Sequence, residues 1–149
     1  MLRYRPGFTL TEIVVSTSIL SLMALLSIEA FASYSKNEAL SGNLYMIAST
    51  LRDARSKTLS SVGGSQYGVH IDSDKFILFQ GSVFSPLSQT NKEYRLSPFI
   101  RATSTVPTLV FQRVTGSVAS PGVITLYGAS DAQLKKNITI QGTGVVSTD

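Results

Sequence analysis

A run of sixteen uncharged residues, Ile13 to Ile28 (IVVSTSILSLMALLSI), constrains this chain more than any other feature. Just before it stands Glu12, between apolar Leu10 and Ile13. A carboxylate inside a bilayer is costly. A segment that only had to cross a membrane would gain nothing from it, so Glu12 asks for a partner.

Phe8 to Ile28 is twenty-one residues. At about 1.5 Å per residue, a helix of that length spans roughly 31 Å, enough for a hydrocarbon core. Arg3 and Arg5, with no acid before Glu12, place the N-terminus in the cytoplasm and the residues after Ile28 outside it. Three readings fit this terminus. One is a secretory signal, with Ala30-Phe31-Ala32 as its small-residue cleavage site and a soluble β-rich binding protein released after Ala32. Another is a plain signal anchor. The third is a prepilin signal.

Gly7-Phe8-Thr9-Leu10-Thr11-Glu12 resembles the G-F-T-L-x-E processing motif of type IV pilins and pseudopilins. The resemblance implies cleavage after Gly7 by a prepilin peptidase and methylation of the new amine on Phe8. It also supplies the partner for Glu12, the Phe8 amine of a neighbouring filament subunit. A buried carboxylate is costly alone and tolerable beside a cation. Cleavage would remove Arg3 and Arg5 and lower the formal charge from +4 to +2.

Helical character continues past the apolar run. Leu40, Leu44, Ile47, Ala48, Leu51, Ala54 and Leu59 recur mostly at three- and four-residue steps, while Lys36, Asn37, Asn43, Arg52, Arg55 and Lys57 occupy other faces. Asp53 and Lys57 form an i,i+4 pair. Gly42 is a candidate bend, and Gly63-Gly64 ends the helix. No proline interrupts residues 8–61, although many pilins carry one where the helix leaves the membrane.

The remainder reads as strands. Residues 67–71 and 76–79 form a hairpin around Asp72-Ser73-Asp74-Lys75. Short strands are predicted at 93–96, 109–113, 123–127 and 136–140, with Val145-Val146 closing the domain; 81–92 is a loop and 98–107 is unassigned. The expected fold is α+β: one long N-terminal helix, apolar in its first half and amphipathic in its second, on a mostly antiparallel sheet. It divides into a leader (1–7), a transmembrane and filament-core helix (8–28), its amphipathic continuation (29–62) and a β-rich domain (63–149).

Leu51-Arg52-Asp53-Ala54-Arg55-Ser56 is similar to the L-x-x-A-R-S run of GspH/FimT-type pseudopilins and minor pilins. The F-x-x-x-x-G segment Phe111–Gly116, the strands VITLY and KKNITI, and the closing GTGVV share that resemblance. With the N-terminus it covers most of the chain outside about 81–107.

Little points to catalysis. The sequence lacks HExxH, a P-loop and GxGxxG, and has no cysteine. Its single histidine, His70, is expected on a surface or edge strand. No cofactor or resident metal is expected; Asp72 and Asp74 are a weak calcium candidate in an ordinary turn. Arg113, Lys135 and Lys136 are the basic residues of the tail, and some FimT-like proteins bind DNA through such residues, so a DNA-binding tip pilin is an alternative. Arg52, Arg55 and Lys57 join that group if they share its face. The resemblance as a whole implies a non-enzymatic filament subunit, a minor pilin or pseudopilin of a type IV pilus or type II secretion filament. Its partners would be other subunits, the peptidase, the inner-membrane assembly machinery and, before assembly, lipid. It would cross the inner membrane once, with its C-terminal domain periplasmic or extracellular.

Overall fold

The computed structural model describes residues 7–149, apart from the side chains of Glu29, Ala30 and Ala32. Arg3 and Arg5, on which the predicted orientation rests, lie outside the described residues.

The first element is helix α1, Leu10–Leu59. Thr9 starts it: its hydroxyl accepts the Glu12 amide N–H at 3.2 Å, and its carbonyl accepts the Ile13 N–H. That is N-capping, with Glu12 in the first turn beside the positive end of the helix dipole. The chain divides into two compact units, up to Ser35 and from Lys36 onward.

In the first unit, α1 is apolar all round, and its large side chains from Leu10 to Phe31 are half or more exposed. The hydroxyls of Thr17, Ser18, Ser21 and Ser27 each donate to a carbonyl one turn back, at 2.7 to 2.9 Å. These polar groups are therefore satisfied inside the helix, as an apolar solvent requires. Among the described residues this is the one helix long and apolar enough to cross a membrane.

The second unit opens with α1 from Lys36 to Leu59 and runs without a break through Gly42. Leu40, Leu44, Ile47, Ala48, Leu51 and Ala54 are at most 2% exposed, the face that the spacing predicts. Leu59, expected on that face, is 43% exposed at the helix end. Asn43, expected on a polar face, is buried instead. Its amide donates to Ala39 O and to Ser97 Oγ, and its Oδ1 accepts the Ser97 N–H. A short 3₁₀ turn, Val62–Gly64, follows the helix, with Gly63 and Gly64 both left-handed.

Eight strands follow: β1 Tyr67–Ile71, β2 Lys75–Gln80, β3 Lys92–Arg95, β4 Ile100–Ser104, β5 Thr108–Val110, β6 Gly122–Gly128, β7 Lys135–Ile140 and β8 Val146–Thr148. They form two four-stranded sheets, ordered β3-β2-β1-β5 and β4-β6-β7-β8, rather than the single sheet expected. Every pairing is antiparallel. β4 fills the stretch that had no assignment and pairs with β6 from Ile100↔Gly128 to Ser104↔Ile124. In β6, Ile124 and Leu126 point inward while Val123, Thr125 and Tyr127 are half-buried, the alternation of a strand with one core face. One apolar cluster joins the buried helix face to both sheets through Val69, Phe76, Phe111, Ile124, Leu126 and Ile138.

Candidate functional site

Two regions carry the functional expectations, and each lies within one unit. The first is the start of α1. Gly7 and Phe8 precede the helix, and Phe8 is 79% exposed. Glu12 is exposed one turn in, its backbone amide bound by Thr9. Thr9-Leu10-Thr11-Glu12 spells the T-x-x-E signal for this Thr9 cap, a local signal that the processing motif overlies.

The second region gathers the short motifs of the later chain. On α1, Leu51 and Ala54 enter the core, while Arg52 reaches the start of β8 and Arg55 the loops beside it. Arg55 Nε donates to Gly116 O at 3.1 Å and its Nη2 to Thr143 O at 3.2 Å. Arg52 Nη2 donates to Val146 O at 3.3 Å. Phe111 is fully buried, and the turn after it places Gly116 at φ 64°. Gly144, at φ 77°, lies so close to the Gly116 carbonyl that any Cβ would collide with it. L-x-x-A-R-S, F-x-x-x-x-G and G-T-G-V-V are thus three parts of one joint.

A cleft of about 450 Å³ opens beside that joint, lined by Arg52, Arg55, Ser56, Leu59, Ser60, Gly144, Val145 and Val146. Lys57 faces elsewhere, bound to Asp53 at 2.6 Å. Exposed Val114, at the tip of the turn between Phe111 and Gly116, holds φ 73°, a strained geometry for a β-branched residue.

The tail cations are not brought together. Arg113 sits in the 112–117 turn, and Val118, directly after that turn, donates its N–H to Gly142 O, two residues beyond the Ile140 end of β7. Lys135 and Lys136 open β7, and five residue steps at about 3.3 Å put roughly 17 Å between its ends. Lys136 donates to Ser41 Oγ at 3.0 Å. The helix arginines share the face of the Arg113 turn rather than that of the two lysines.

His70 does not lie on an edge, because β1 sits between β2 and β5. Its ring stacks on Phe84 at 4.1 Å, with Nδ1 2.7 Å from Thr108 Oγ1 and Nε2 3.4 Å from Asp72 Oδ1. Asp72 and Asp74 occupy the β1–β2 turn, whose backbone is stitched to its surroundings: Asp74 O accepts the Leu96 N–H and Ser73 O that of Ala102. Among the described residues, no three His, Asp or Glu side chains gather as a metal site would require.

No family model matches the sequence, and no curated protein matches it. Solved structures do. The minor pseudopilin EpsH from the type 2 secretion system of Vibrio cholerae superposes with a TM-score of 0.58 at 14% identity, over 74% of this chain and 95% of EpsH. The type IV minor pilin FimU of Pseudomonas aeruginosa superposes with a TM-score of 0.59 at 13% identity, over 78% of this chain and 92% of FimU. A long N-terminal helix, antiparallel sheets and these superpositions together show that the chain has the type IV pilin-like fold of minor pilins and minor pseudopilins.

Proposed function

We propose that this chain is a minor subunit of a type IV pilus or type II secretion filament, processed after Gly7 and assembled through the first half of α1. One observation carries the reading: an apolar helical segment whose large side chains stand half or more exposed, headed by Gly7-Phe8 and Glu12, precedes a unit of minor-pilin fold. The apolar segment must be covered, first by lipid and then by neighbouring helices. Burial is similar in both settings, so specific terms favour the filament: the pairing of Glu12 with the methylated Phe8 amine of a neighbour, and close helix approach over Ser16, Ser18, Ser21 and Ala24. The N-terminus faces the cytoplasm and the second unit lies outside it. Extraction from lipid is not spontaneous, so an inner-membrane assembly machine supplies the energy.

Replacing the charge while keeping the shape separates pairing from packing. Glu12→Gln is expected to leave the membrane level of the protein unchanged and to lower its recovery in sheared filaments about tenfold or more, the effect of losing one partner of a buried ion pair. Filament recovery equal to wild type for Glu12→Gln would contradict the pairing.

A further inference from the structure

The cleft beside the Arg55 joint contains more positive charge than the fold needs. Arg52 and Arg55 are three residues apart on α1, so both guanidinium groups emerge on one helix face, where like charges repel. Each is anchored: Arg52 on the Val146 carbonyl, Arg55 on the Gly116 and Thr143 carbonyls. The anchors use one of Arg52's five N–H donors and two of Arg55's, leaving four and three N–H groups on forks whose orientation is already fixed. Among the described residues, none with a carboxylate lines the cleft. Asp53, the nearest acid in sequence, is committed to Lys57.

The rest of the lining restricts what can answer this charge. Leu59 and Val145 are 43% and 45% exposed and give the cleft apolar walls, and Ser56 and Ser60 add hydroxyls. A volume of about 450 Å³ suits one or two side chains rather than a length of nucleic-acid backbone. Lys135 and Lys136, which would have to extend a phosphate track, lie at the other end of β7. We infer that the cleft binds a carboxylate-bearing, partly apolar peptide segment of a neighbouring filament subunit, its carboxylate on the Arg52 and Arg55 forks and its apolar side chain against Leu59 and Val145. The identity of the donor as a filament neighbour rests on the proposed function; the carboxylate chemistry does not. Arginine forks take carboxylates in pairs of parallel hydrogen bonds, and pre-set forks lose little entropy in doing so.

The test uses the full chain in detergent micelles, labelled with ¹⁵N-arginine and titrated with the tetrapeptide N-acetyl-Leu-Glu-Leu-Asp-amide. The Nε–H signals of Arg52 and Arg55 are expected to move and saturate, with weakening as salt is added. The uncharged N-acetyl-Leu-Gln-Leu-Asn-amide is expected to bind about tenfold more weakly or worse, as loss of charge-assisted bonds dictates. Arg52→Gln should weaken the acidic peptide to a similar extent. Val145→Glu, at an exposed position, should place a carboxylate in the cleft and block the peptide while the remaining amide spectrum stays native. Equal response to both peptides, no response, or saturation of the same signals by mixed-sequence duplex DNA at lower concentration than the peptide would each overturn the inference. The micelle experiment needs no filament. Peptide binding by a chain that never enters filaments would support the carboxylate site and overturn the filament reading, and with it the donor's identity.

Discussion

Asn43 shows what one buried polar side chain does in this fold. It ties α1 to Ser97 by two hydrogen bonds, from its amide to Ser97 Oγ and from the Ser97 N–H to its Oδ1. Truncation would take the Asn43 partner from two half-buried Ser97 groups. Asn43→Ala is expected to destabilise the second unit by about 1–3 kcal/mol, read by chemical denaturation. The helical period placed Asn43 off the apolar face, and a period cannot report that a distant serine turns such a residue inward. Glycine at 144 is needed for a different reason. A side chain there would meet the Gly116 carbonyl in a left-handed backbone, whereas Gly142 has open space and an ordinary φ. Gly144→Ala should cost about 1–3 kcal/mol in thermal unfolding, and Gly142→Ala only a few tenths. Both glycines stand in the same short motif, so the sequence showed a tight turn but not which glycine closes it.

At the scale of elements, the edge strand β3 depends on Glu93. Lys75 lies directly across the ladder from Arg95, two like charges face to face. Glu93 takes both, from Lys75 Nζ at 3.0 Å and Arg95 Nε at 3.2 Å. The hydrogen bond and charge of Lys75 hold Glu93 below its ordinary value of 4.5, and those of Glu93 raise Lys75 above 10.5. A lowered carboxylate contributes stability above its unfolded value and loses it as pH falls through the lowered one. A raised lysine contributes below its unfolded value and loses it as pH rises through the raised one. The contribution therefore holds across neutral pH and fades at both ends. Glu93→Gln should remove this dependence, seen as faster amide exchange in residues 92–95 at neutral pH that converges with wild type in acid. Helix and hairpin were legible because their signals are local: a 3.6-residue period in α1 and two β-rich runs around a four-residue turn. β4 was not, since Pro98 and Pro107 frame it and Arg101 interrupts its apolar residues. The division into two sheets was not legible either. Strand neighbours such as β1 with β5 are joined across forty residues of sequence, and no local signal records that choice.

At the scale of the whole molecule, the chain combines a unit that buries its own core with an apolar helical segment whose large side chains from Leu10 to Phe31 are half or more exposed. The segment and its motif were plain in the sequence, because both are contiguous. The joint of Arg55, Gly116 and Gly144 was visible only as three separate resemblances, since the residues meet through folding rather than spacing. In the proposed function, processing at Gly7 is the step that would precede assembly. The most direct test is N-terminal sequencing with intact-mass spectrometry of the protein from its native membrane, with and without the prepilin peptidase. The account predicts a methylated Phe8 terminus that disappears when the peptidase is absent. A terminus at Ser33, unaffected by the peptidase, would contradict it and leave a soluble exported domain.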